Sequence, residues 1–199
     1  MNSTRITVDD TSRVSLCVGL GVAVLLAGVV LYFTLAGHAM SKEMTGFDPN
    51  RPVPSDAILR SRLKPDQYRI TRQSGTETAF QNEYWNNVRV GIYVDVITGE
   101  PLFCSLDKFD GGTGRPTFSK PISKDSIVEK DDNSYEMHRI ELRAKRSDAH
   151  LGHLVADQTS PTGQRYAVNS AALHFIPTED MQREGYASYL SLVTPVVQK

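Results

Sequence analysis

Cysteine is nearly absent: the 199 residues hold two, Cys17 and Cys104. No CxxC pair exists, which excludes a zinc ribbon and a local dithiol motif. Cys17 falls in an apolar stretch, so no disulfide can close within the rest of the chain. Excess charge of one sign is missing as well, with a formal net charge of -1. That balance argues against a nucleic-acid partner, whose footprint is a basic excess. Neither the GxGxxG nor the phosphate-loop pattern occurs. No internal repeat or low-complexity block appears.

Charge is also missing locally. From Val14 to Gly37 no charged residue occurs in 24 positions. As a helix this segment spans the roughly 30 Å hydrocarbon core of a bilayer. It is longer than the apolar region of a cleavable signal, although Gly37-His38-Ala39 is a weak cleavage match. The expectation is a transmembrane signal anchor over 14–37 behind a tail of residues 1–13. The sparse flanking Arg5, Arg13, Lys42 and Arg51 do not set the orientation. A short tail ahead of a single span suits a membrane protein whose C-terminal domain is periplasmic or otherwise extracytoplasmic.

Residues 38–57 form a linker, with three prolines in "AMSKEMTGFDPNRPVPSDA". "DAILRSRLKPDQYRITRQ" predicts a helix to Lys64, a stop at Pro65 and a second short helix over 66–73. "VRVGIYVDV", the turn "TGE" and "PLFC" predict a hairpin. Further strands are expected at 127–131, 138–145, 152–156, 166–170 and 173–176. The fold class is therefore mostly β with peripheral helices (α+β).

Arg165, Ala167 and Asn169 alternate along an expected strand and would share one face. Two polar groups then flank a methyl. "AHLGH" carries two histidines three apart, His150 and His153, but with Asp148 and Asp157 as the only close carboxylates a zinc site is poorly supplied. "KFDGGTGRPTFSKPI" reads as a constrained loop.

"TETAFQNEYW", "GIYVDVITGEPLFCSLDKFDGGTGRPTFSKPI", "HLGH" and "RYAVNSAALHFIP" together resemble the methionine-R-sulfoxide reductase family of the MsrB type, in its order and spacing, over residues 58–190. The resemblance implies a domain of two antiparallel sheets and a thiol reaction. A cysteine thiolate attacks the sulfoxide sulfur, methionine leaves, and a second cysteine forms a disulfide that a thioredoxin-like partner reduces. The resemblance puts the nucleophile at Ala167 and a frequent resolving cysteine at Thr113. It puts the substrate-binding groups at His153, Asp157, Arg165 and Asn169, and a methyl-packing tryptophan at Arg115. The zinc positions become Asp95, Thr98, Ala144 and Ser147, so no metal and no cofactor is expected.

The expectation is a membrane-anchored family member whose redox reaction is lost at Ala167 and whose binding role remains. The alternative is an active peptide-methionine (R)-S-oxide reductase using Cys104 as a displaced thiol, with a thioredoxin-like reductant. The ligand would be a methionine-sulfoxide peptide or, with Arg115 in place of tryptophan, a small carboxylate or sulfonate. In a competing reading Arg115 pairs with an acid such as Asp157 and plugs the pocket. Residues 191–199 are expected to be a tail.

Overall fold

The computed structural model of the chain describes residues 46–134 and 138–194. The expected tail 1–13, the span 14–37 and residues 38–45 of the linker 38–57 lie outside the described residues, as does the end of the tail 191–199. Among the described residues no helix is long and apolar enough to cross a membrane.

Two short helices open the described region. The first, α1 (Asp56–Arg62), has Asp56 in its first turn and Arg60 and Arg62 in its last, both favourable to the helix dipole. Leu63 leaves helical geometry, and Pro65 begins α2 (Pro65–Gln73), where its missing N–H costs nothing. The Gln67 side chain accepts the Lys64 amide at 3.0 Å and closes that start. Ile70 and Thr71 turn the second helix's buried face inward.

Nine strands follow among the described residues. β1 (Gly91–Asp95) and β2 (Pro101–Cys104) form the expected hairpin, joined on the other side of β1 by β9 (Leu173–Pro177) in an antiparallel sheet ordered β2-β1-β9. The second sheet has β3 (Lys108–Phe109), β4 (Thr117–Phe118), β5 (Ile127–Asp132), β6 (Arg139–Ala144), β7 (His150–Ala156) and β8 (Gln164–Val168). Its order is β3-β4-β8-β7-β6-β5, again antiparallel throughout. Two short helices, α3 (Thr178–Met181) and α4 (Leu190–Val193), end the described chain. Two antiparallel sheets with few helices is the class expected.

The hairpin is buried on both faces, which explains its almost unbroken apolar sequence. Tyr93, Phe103 and Phe175 face the six-stranded sheet and meet Phe118, Leu142, Tyr166 and Val168. Phe103 stacks on Phe118 with centroids 4.4 Å apart, a contact worth about 0.5–1.5 kcal/mol beyond its area. On the opposite face Ile92, Val94, Cys104 and Ile176 pack against Met181, Tyr186 and Val193.

Three expectations need correction. The strand expected from Val88 starts only at Gly91. β8 ends at Val168, so Asn169 is not on it; it begins a single 3-10 turn, Ser170–Ala172. The constrained loop also contains β3 and β4, each too short to carry a period.

Candidate functional site

Along β8, Tyr166 and Val168 enter the core, so alternation turns Arg165 and Ala167 to the opposite face. Ala167 is registered with Thr117 of β4 on one side and His153 of β7 on the other. Gly152 explains the "LGH" spacing. Its φ is +157°, and a Cβ there would meet the Ala167 carbonyl oxygen at 2.0 Å. A side chain at this point would push β7 off β8.

His153 contacts the Asp132 carboxylate through Nε2 at 2.8 Å, and Asp132 also pairs with Arg139 at 2.8 Å. Hydrogen bonds from Ser134 and His153 hold the Asp132 carboxyl well below the usual carboxylate range. An ionised Asp132 can only accept, which puts the ring proton on Nε2. His150, ring edge against His153, binds Glu141 through Nδ1 at 2.6 Å, and Glu141 is held in turn by Arg143. Burial lowers the pKa of His150. The two histidines therefore serve separate carboxylates, and among the described residues no cluster could hold a metal ion.

Arg165 donates to the Gly111 carbonyl at 3.0 Å and to Asp157 at 3.3 Å, while its buried Nε has no partner. Asp157 also accepts from the Thr159 amide and hydroxyl at 2.9 and 2.6 Å, contacts that lower its pKa. Asp157 is thus a tether for Arg165. The reading in which Arg115 pairs with Asp157 does not hold. Arg115 donates through Nε and Nη2 to the Glu77 carbonyl at 3.3 Å, and no ion pair forms at Arg115 among the described residues.

Asn169 was expected to flank Ala167 with free polar atoms. It is instead 2% exposed, with Oδ1 accepting the Glu77 amide at 3.2 Å and Nδ2 donating to the Leu151 carbonyl at 3.0 Å. Its amide is spent on backbone and shapes the turn after β8. Thr113 sits between Gly112 and Gly114, both at positive φ, and its buried hydroxyl has no partner.

Glu77 escaped the sequence reading. Its carboxylate accepts the Ser170 and Ala171 amides at 2.6 and 3.1 Å, and burial raises its pKa despite these bonds. One residue therefore fastens the segment before β1 to Asn169, to the turn after β8 and to Arg115. Its signal in the sequence is its place in "TETAF", within one of the stretches that carry the family resemblance. Asp132 escaped as well, since nothing local links it to His153.

Cys104 lies elsewhere. It packs in the cluster on the outer face of the three-stranded sheet, accepting the Leu106 amide at 3.4 Å, with burial raising its thiol pKa. Ala167 belongs to the other sheet. The displaced-thiol alternative finds neither proximity nor an activated thiolate.

The zinc positions hold a hydrogen-bonded substitute. Asp95, fully buried, accepts from the Thr98 hydroxyl at 2.6 Å, from the Thr98 and Ile97 amides at 3.2 Å, and from Ser147. Ala144 offers no ligand and Asp95's oxygens are already engaged, so these residues do not fit a zinc ion.

With this geometry established, comparison with known proteins gives the class. A SelR domain matches residues 63–177. The chain belongs to the SelR domain family, the methionine-R-sulfoxide reductases of the MsrB type. A peptide methionine sulfoxide reductase MsrA/MsrB of Vibrio cholerae serotype O1 is 50% identical over 139 residues, which make up 70% of this chain and 37% of that protein. The chain thus spans little more than a third of that relative's length.

Proposed function

We propose that this chain is a family member disarmed at the reacting atom, which keeps a frame for recognition and does not reduce methionine sulfoxide by its own thiol. The observation that carries the reading is the environment of Ala167. It lies between Thr117 and His153 in a rigid sheet, with Arg165 anchored beside it. Reduction converts a sulfoxide and two thiols into methionine, water and a disulfide. Alanine has no lone pair to attack sulfur, and surrounding polar groups do not replace a missing nucleophile. A thioredoxin-like partner has a role only if a thiol is present.

Arg115 favours a small carboxylate or sulfonate as ligand. Its guanidinium donates to the Glu77 carbonyl and forms no ion pair among the described residues, and Arg165 contributes an unpartnered buried Nε. Calorimetric titration with acetate and methanesulfonate tests this. Heat that disappears in Arg115→Ala supports it, and no heat at millimolar concentration removes it.

The uncharged run over 14–37 supports a single-pass anchor, and the short tail ahead of it suits a domain on the extracytoplasmic side. Protease accessibility of the domain in intact cells and in opened cells checks both points.

The disarmed reading is tested by Ala167→Cys with a methionine-R-sulfoxide peptide and excess dithiothreitol. Turnover only in the variant supports it, and turnover in the parent removes it.

A further inference from the structure

A groove of about 440 Å³ lies between the segment leading into β1 and the segment running from β2 to β3. Trp85, Val88, Val90, Leu106, Lys108 and Phe109 line it. Val88 is 92% exposed, Leu106 55% and Val90 44%, a concentration of bare apolar surface on one face. Phe80, 55% exposed and at φ +60°, extends this surface by setting its ring edge against Trp85, with centroids 5.3 Å apart. A bulky residue held in that backbone region is strained, and such strain persists only where the surroundings enforce it. Gly114 supplies the enforcement: its carbonyl accepts the Phe80 amide at 2.8 Å, and a Cβ there would strike that amide nitrogen at 2.5 Å.

Two further features lie in the same groove. β3 is the outermost strand of the six-stranded sheet; no further strand pairs with it among the described residues, and its Lys108 amide is taken by the Ser105 carbonyl. Lys108 on that strand donates to the Trp85 carbonyl at 3.0 Å and has no ion-pair partner among the described residues. Asp110 turns its carboxylate to the Gly112 amide at 2.9 Å, and Arg89 is taken by Glu179 at 2.6 Å. Burial lowers the Lys108 pKa, and the attraction of Asp110 in the same groove offsets this only in part.

We infer that this groove docks a peptide segment of a partner protein, one that carries an aspartate or glutamate next to an aliphatic or aromatic residue. The Trp85–Leu106 walls suit the apolar side chain, and Lys108 supplies the charge complementary to the acid. The site does not use Ala167, so it stands or falls apart from the disarmed-reductase reading.

The test is an array of unoxidised octapeptides that combines acidic, neutral or basic residues with apolar or polar neighbours, probed with the full chain. Acid-plus-apolar peptides are expected to bind, with at least a tenfold loss in Val88→Glu and loss of the acidic preference in Lys108→Gln. Val88 is so exposed that its replacement leaves folding intact, which the melting temperature verifies. Absence of binding to any peptide, or binding indifferent to both variants, overturns the inference. Sedimentation is the second readout: a dimer that Val88→Glu dissociates would show that the groove is filled by a second copy and would overturn the peptide assignment.

Discussion

Ala167 and His153 face each other across β7 and β8, and His153 reaches away through Nε2 to Asp132 at 2.8 Å. The methyl at the centre is thus flanked by a ring whose orientation is set by a carboxylate on β5. Asp132 is a positioning residue, and its influence can be read in pH.

The ordinary Asp value of 3.8 is lowered in the fold by the bonds from Ser134 and His153. For a carboxylate depressed in the native state, the stability gained from ionisation is fully present above the unfolded value and fades as pH falls through the folded one. Asp132→Asn is therefore expected to lower the urea midpoint at pH 7, with the gap to the parent narrowing as pH falls below 3.8. Urea titrations across that range check it, and a gap independent of pH would contradict it.

Gly152 is held by close approach. Gly152→Ala is expected to cost about 2–4 kcal/mol, through collision with the Ala167 carbonyl. Gly163→Ala, at φ +73° with open space around it, is expected to cost only about 1 kcal/mol. Urea unfolding of both variants gives the comparison, and equal losses would contradict the packing argument.

Much of this arrangement was visible in the residues before the fold. The hairpin around "TGE" and the strands after Ile127 announced themselves by β-branched runs and turn residues. β3 and β4 did not, because two-residue strands inside a glycine-rich loop carry no period. Asn169 escapes the alternation of β8 because the strand ends at Val168 and the turn after it buries the amide. Glu77 and Asp132 stayed hidden because their partners are distant in sequence, and only folding brings them together.

Glu77→Gln tests the hidden fastening. The amide can accept one of the two backbone N–H groups that the carboxylate now serves, and it sets an NH₂ against the other. A loss of about 1–3 kcal/mol is expected. Hydrogen exchange at Ser170 and Ala171 should accelerate in the same variant. Unchanged exchange would mean the carboxylate does not hold the turn.

Cys104 should behave as packing. In the folded chain it is expected to resist alkylation by iodoacetamide and to react once urea unfolds the domain, with peptide mass mapping reporting the site. Fast labelling of native Cys104 would contradict its burial in the cluster with Ile92, Val94 and Ile176.

The central claim is that a recognition frame persists around a missing sulfur. The most direct measurement is turnover of a methionine-R-sulfoxide peptide by the full chain and by Ala167→Cys, each also carrying Cys104→Ser, under excess dithiothreitol. The account predicts a parent at the background of dithiothreitol alone and a cysteine variant that turns over, with Cys104→Ser changing neither. Turnover by the parent, or a folded Ala167→Cys chain that stays silent, would contradict it.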